Sequence, residues 1–208
     1  MKYIKKETIG ASWLKAVEVV MEEGNDFYDR DVKIKELLDL FIEIKDALLI
    51  DDVIKKHGDK YMIEQLKIVL LDTKPGEWGW SYGQRLFGDS NYFNQIEFIV
   101  NKLKRKPETK SATVTCLFPK EDFQKGAHIP CICLLDFKIR DNRLNMSVCL
   151  RSQDIAKKMY GDALALGKLM EKVANELDVL TGNLKLYIMS AHIYENEFEK
   201  MRKIIGNS

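Results

Sequence analysis

Residues 129–137 read IPCICLLDF, and two of the chain's four cysteines, Cys131 and Cys133, stand there one residue apart behind Pro130. A thiol at that place has three chemical uses: filler in a core, metal ligand, or nucleophile. Zinc needs Cys or His ligands converging from one side, and no second C-x-x-C accompanies the pair, so no metal site is expected. A buried cysteine taken alone behaves as a small hydrophobe. Two features favour the nucleophile. Pro130 fixes the backbone as it enters a predicted strand, so Cys131 sits at the strand's mouth, where a loop delivers it. The following predicted strand ends in LRSQD, which puts Arg151 and Asp154 beyond the far end of a hairpin. An arginine close to a thiol favours the thiolate, the reactive form.

These residues need a scaffold. The 208 residues suffice for one large domain, and 46% hydrophobic with 31% charged residues suits a core under a hydrated surface. SWLKAVEVVMEEG (12–24) sets Trp13, Ala16, Val17 and Val20 on one helical face, with Gly24 as the stop. VKIKELLDLFIEIKDALLI (32–50) reads both ways: its β-branched start suits a strand and its ELLDLF centre a helix. A short helix over 61–72 leads to TKPGEWGWSYGQ, a turn-rich aromatic loop, and residues 91–106 form an amphipathic helix. From KSATVTCLF (110–118) the texture turns to strands, with EDFQKGAH as a polar loop. PCICLLDFKIR (130–140) and LNMSVCLRS (144–152) flank a DNR turn, which predicts an antiparallel hairpin. A long helix (159–179), a strand (183–194) and a last helix, NEFEKMRKII, complete the chain.

The pattern predicts a single α+β domain over 1–208, a mixed or antiparallel sheet packed with helices. Its N-terminal part, to about residue 106, reads as helical, and the strand-rich part from about 107 carries the chemistry. No G-x-G-x-x-G or P-loop supports a doubly wound nucleotide fold. A net charge of +1 gives no field for nucleic acid, and KLKRKPETK (102–110) reads as a solvated helix end. No apolar run reaches the roughly 20 residues a membrane span needs, and the start MKYIKKETIG lacks a signal-peptide core. A cytoplasmic protein without disulfides is expected.

The order PC, hairpin, R-S-x-D, helix and AHIY resembles the thymidylate synthase family. Its short archaeal branch is nearest, through the PC-x-x-x-x-DFKIR strand and the SAHIYE segment. The likeness covers about residues 78–200 and is strongest over 129–196. It implies transfer of a one-carbon unit to C5 of a pyrimidine nucleoside 5′-monophosphate, with Cys131 as the nucleophile that adds to C6. Arg151 would grip the phosphate with its fork of donors and Ser152 would add a hydroxyl. Asp154 would orient the base, and His192 and Tyr194 match the family's ribose-contacting pair. Tyr82, in WSYGQRLF, matches a tyrosine that lines the pocket near the thiol. The implied donor is a methylene-tetrahydropterin, of folate or methanopterin type, and the implied partners are small molecules alone.

Three positions depart from the family pattern. Eleven residues after the arginine, where the family has an Asn that reads uracil, stands Asp162. An amide both donates and accepts; an ionised carboxylate only accepts, which suits the amino group of cytosine. A uracil carbonyl buried against it costs about 1–3 kcal/mol. Asp162 thus favours dCMP hydroxymethylation, whereas family frequency favours dUMP to dTMP; the other role open to Asp162 is to cap the helix that begins there. Secondly, Lys110 and Ser111 stand where the family's dimer lends two arginines to the neighbour's phosphate. Lys110 supplies one point charge and Ser111 none, which argues against the family's homodimer. Thirdly, the proton-relaying glutamate of the family's ELLWF helix has only a loose counterpart in KELLDLF, Glu36, with Glu43 as rival. The last two departures also fit a relative that binds nucleotides without turning them over.

Overall fold

The structure is a computed structural model that describes all residues except 49, 77, 78, 125, 127, 207 and 208. The chain begins β1 (Lys2–Thr8), α1 (Ile9–Glu23), β2 (Asn25–Asp29), β3 (Val32–Asp46), α2 (Asp52–His57) and α3 (Lys60–Leu71). It continues α4 (Tyr82–Phe87), α5 (Gln95–Arg105), β4 (Thr113–Thr115), α6 (Pro119–Asp122), β5 (Ile132–Arg140) and β6 (Arg143–Leu150). It closes with β7 (Gln153–Asp154), α7 (Met159–Glu176), β8 (Leu180–Tyr194) and α8 (Glu195–Gly206). The α+β reading holds: one mixed sheet runs β1-β3-β8-β6-β5-β4, with β2 paired to β3 and β7 to β8.

The N-terminal part is less helical than its sequence reads. Residues 32–46 form a strand that pairs with β1, β2 and β8. Their Ile34, Leu40, Ile42 and Ile44 share even positions and are buried. Burying each contributes about 1.5–3 kcal/mol, against helix-propensity differences of about 0.7 kcal/mol or less per residue, so the two-residue period wins over the helix-like ELLDLF spacing. The segment 73–84, read as loop, also gives up its end to α4. Ser81 and Gln84 form a reciprocal capping box there, a signal present in the sequence as S-x-x-Q.

Helix α1 packs its Trp13 face on the sheet, and the indole N–H donates to the Ile155 carbonyl at 2.8 Å. That bond ties α1 to the segment joining β7 to α7. On the opposite sheet face, Tyr3 stacks on Phe41, and Phe41 packs tilted against Tyr187. The core lies between the inner sheet face and α1 and α7, whose Gly167 passes so close to β3's end that a Cβ would meet the Ala47 carbonyl oxygen at 2.3 Å.

Candidate active site

Between the ends of β6, β7 and β8, the β2–β3 hairpin and helices α3, α4 and α7 lies a cavity of about 540 Å³. That size suits a small-molecule site. Cys131 reaches it from the bend before β5, and its Sγ stands 3.5 Å from the Ser152 hydroxyl. Among the described cysteines only Cys131 opens onto this cavity. Burial pushes the thiols of Cys116, Cys133 and Cys149 up. The strand pairing shifts register between Ile132 and Leu134, and the Cys133 Sγ lies 3.7 Å from the Cys131 carbonyl oxygen.

The cysteine's backbone is held from two sides. The Tyr82 hydroxyl accepts the N–H groups of Cys131 at 2.9 Å and Ile132 at 3.2 Å. With both lone pairs engaged, Tyr82 faces a ligand as a donor. Burial, then the nearby Cys131, keeps that phenol protonated well above its usual range. Helix α4 can bring Tyr82 here because Gly83 follows it; a Cβ at 83 would sit 2.0 Å from the Asp72 carbonyl oxygen. From the other side Arg151 donates through Nε to the Pro130 carbonyl (3.0 Å), through Nη2 to that of Ile129 (2.7 Å) and through Nη1 to Ser152 Oγ (3.2 Å). Three of a guanidinium's five N–H groups are so used, which leaves one on each terminal nitrogen for a ligand. Arg151 is thus a clamp on the loop that delivers the thiol as well as part of the cavity wall.

Nine of the ten residues singled out from the sequence line this one cavity. His192 and Tyr194 do so from β8, rings 5.3 Å apart and edge to face. Asp154 pairs in register with His192, accepts from the Lys157 N–H at 3.0 Å, and has its carboxyl pushed up by burial. Glu36 is corrected in its setting. It lies on β3, where it accepts from the Ser190 hydroxyl at 2.6 Å, and α3 offers the cavity Leu66, Val69 and Leu70. Its rival Glu43 is engaged elsewhere, by the Tyr3 hydroxyl, Lys5 and Asn183. Lys110 is the exception: it is exposed before β4 and lies outside the cavity wall.

Asp162 does not cap α7. Helix α7 starts at Met159 without a side-chain cap. The Asp162 Oδ2 accepts instead from Gln153 Nε2 at 2.8 Å, and burial pushes the carboxyl up to about 6.

Sequence reasoning missed several cavity residues. Arg30 sits at the tip of the β2–β3 hairpin with φ 47, beside Asp31 with φ 70. Two left-handed residues in succession make a hairpin turn that ordinarily takes Asn-Gly or Asp-Gly, so Arg-Asp carried no turn signal. His128, Lys158, Gln153 and Ser190 also line the wall. Gln153 and Ser190 became visible only through their bonds to Asp162 and Glu36.

A sequence profile described as thymidylate synthase matches residues 12–208. The chain belongs to the thymidylate synthase family. Proteins named "Putative thymidylate synthase" match it nearly end to end. That of Methanococcoides burtonii is 30% identical over 208 residues, covering 98% of this chain and 94% of its own. That of Methanothermobacter marburgensis is 28% identical over 226 residues, covering 98% of each chain. That of Methanocaldococcus jannaschii is 28% identical over 217 residues, covering 98% of this chain and 96% of its own. Membership reaches across the N-terminal residues where the motif likeness was thin, and it makes one-carbon transfer the chemistry to test at Cys131. Among the described residues, no helix is long and apolar enough to cross a membrane.

Proposed function

We propose that the protein is a cytoplasmic thymidylate synthase-type transferase that converts dUMP to dTMP through a covalent adduct on Cys131. The observation that carries this reading is the convergence of Cys131, Tyr82, Arg151 and the His192–Tyr194 pair on one cavity. The Cys131 thiolate adds to C6 of the pyrimidine, and the electron pair displaced to C5 bonds the incoming methylene. The C5 proton then leaves as the methylene parts from its donor nitrogen; a hydride from the donor would add to the resulting exocyclic carbon, and the electron pair shifted to C5–C6 releases the thiolate from C6. One hard substitution becomes several easier steps. Tyr82, a donor held against the Cys131 backbone, and Glu36, paired with Ser190, are the groups that move and place protons at the ring.

Arg151 and Ser152 bind the 5′-phosphate, with Arg30 and Lys158 adding cationic charge on the same cavity. His192 and Tyr194 hold the ribose, and Asp154 orients the base from β7. A methylene-tetrahydropterin, of folate or methanopterin type, supplies the methylene and, for a methyl product, the hydride. The residues present fit a flat pterin: Phe27, Ile34, Leu66, Val69 and Leu70 give the cavity an apolar wall.

One observation favours a second reading. Asp162 offers a carboxylate where an amide would read uracil, which suits dCMP and a hydroxymethyl product formed with water. Incubation with each pterin donor and with 5-tritiated dUMP or dCMP separates the two by which base releases tritium. Cys131→Ser is expected to abolish release while nucleotide affinity changes by less than about tenfold, because the thiol bonds the ring in the reaction and contributes little before it. Full release from that variant refutes the adduct, and nucleotide binding without release from the unmodified chain assigns a binding protein.

A further inference from the structure

Asp29 ends β2 on the rim of the cavity, and its Oδ2 accepts from the Tyr194 hydroxyl on β8 at 3.1 Å. Resting on the function proposed above, in which His192 and Tyr194 hold the sugar, we infer that Asp29 is a positioning residue. It fixes Tyr194 as an acceptor, so that the nucleotide's sugar hydroxyl is read as a donor.

The bond follows from the register. Strand β3 lies between β2 and β8, with Ile34 opposite both Phe27 and Tyr194, and Glu36 opposite His192. Side chains two apart on a strand share a face, which puts Asp29 with Phe27, and Tyr194 with His192, on the cavity side. The bond between Asp29 and Tyr194 therefore passes over β3. Strand β2 is exposed along its length and pairs with β3 alone, so this contact links the tip of the hairpin to β8.

Hydrogen-bond inventory sets the direction. A phenol has one O–H and two lone pairs, and a carboxylate only accepts, so the proton of this bond comes from Tyr194. Burial, and then the Asp29 bond, raise the Tyr194 phenol, which keeps that proton in place. The lone pairs of Tyr194 are left for the ligand. A 2′-deoxynucleoside 5′-monophosphate has one free sugar hydroxyl, at C3′. Donating to Tyr194, that hydroxyl keeps its own lone pairs for an N–H of the His192 ring, which stands edge to face with Tyr194 at 5.3 Å. The result is a chain with one direction, from His192 to the sugar hydroxyl to Tyr194 to Asp29, anchored at the end that cannot donate. Bonds aligned in this way strengthen one another. Without Asp29 the phenol proton is free to turn to the sugar oxygen or to water, and the direction is lost. Asp29 touches no reacting atom and acts through Tyr194.

The test is equilibrium binding of dUMP and of 2′,3′-dideoxyuridine 5′-monophosphate, which lacks only the sugar hydroxyl, to the Cys131→Ser chain. The readout is the ratio of the two affinities. Contacts to the base and phosphate are common to both nucleotides and cancel, as does the negative charge lost when Asp29 is replaced. On the Cys131→Ser chain dUMP should bind about tenfold tighter, the equivalent of the hydrogen bonds its hydroxyl makes. Adding Asp29→Ala should lower that ratio by about fivefold, and adding Tyr194→Phe by about as much. The two together should lower it no further than either alone, because they break one chain. Asp29→Asn keeps an acceptor oxygen and should hold the ratio within about twofold of the starting value. A hairpin that had merely loosened would weaken both nucleotides alike and leave the ratio where it was. Coupling of this kind supports the inference even if the unmodified chain releases no tritium, in which case only the catalytic reading fails. A ratio near one before Asp29 is changed, a ratio that Asp29→Ala moves by less than about twofold, or additive effects of Asp29→Ala and Tyr194→Phe each overturns the inference.

Discussion

Two buried titratable groups neighbour Tyr82, Arg85 on its own helix and Asp162 on the shared cavity, and they are treated in opposite ways. Arg85, on α4, is fully buried and meets Asp122 with two bonds, Nη1 to Oδ2 at 2.8 Å and Nη2 to Oδ1 at 2.7 Å. Nη1 also donates to the Cys116 carbonyl at 2.6 Å, and the guanidinium lies 3.9 Å from the Trp80 ring centroid. Charge is matched by charge, and the cluster closes α4 onto α6 and the end of β4. Asp162 is also withdrawn from bulk water, yet its direct partner is a neutral amide. The first group is matched by a full counter-charge within bonding distance, and the second is not bonded to one. Burial alone therefore does not mark a functional group; burial with incomplete neutralisation does.

The largest effect that tests this contrast is on stability. Asp122→Asn leaves the Arg85 charge buried and should cost about 3–5 kcal/mol, seen as a lower urea midpoint at pH 7. Because Arg85 shares a helix with Tyr82, the same variant should loosen the backbone grip on Cys131. A loss below about 1 kcal/mol would mean that the matched pair does not hold this end of the fold together.

Asp162→Asn should act in the reverse sense. The carboxyl's folded value, about 6, lies above the ordinary 3.8. The folded chain therefore binds the extra proton between those values, and stability falls as pH rises from about 4 through about 6. An uncharged amide escapes that loss. The variant should be more stable than the parent at pH 8 by about 2 kcal/mol, a figure discounted for the opening to cavity water, and the gain should vanish near pH 4. Urea unfolding at both values reads it. A gain of equal size at pH 4 would trace to packing and would deny Asp162 its unneutralised state.

What the sequence disclosed follows the same line. Cys131, Arg151, Ser152 and Asp154 are local: two short windows joined by one hairpin, so their types and order were enough to bring them together. His192 and Tyr194 share a face by strand alternation, which is equally local. Glu36 was legible as a residue and misread in its element, because leucines at 37, 38 and 40 mimic a helix until pairing with β1, β2 and β8 sets Ile34, Leu40, Ile42 and Ile44 on the buried face and leaves Leu38 exposed. Gln153 lies within the motif and went unseen, since its place in the site depends on a bond to a partner nine residues on, across the turn into α7. Arg30 was hidden for a further reason. Its place in the cavity rests on a left-handed turn that nothing in Arg-Asp announces.

Arg30 also sets up the smallest and sharpest comparison, with Lys110. Both are exposed basic residues, but Arg30 lies on the cavity wall and Lys110 does not. If the chain's own cations bind the phosphate, Arg30→Asn should weaken dUMP binding by about tenfold, the equivalent of one charge-assisted hydrogen bond. Asn is the substitution to use because it tolerates the left-handed backbone at that turn, so the charge is removed without straining the hairpin. Lys110→Ala should leave affinity within about twofold, with no contact to lose. Titrations at two salt concentrations separate a direct contact from a general field, which fades as the ionic atmosphere tightens. The opposite ranking, Lys110 mattering more than Arg30, would require a second copy of the chain to carry Lys110 to this cavity, and the phosphate site would then belong to an assembly and not to one chain.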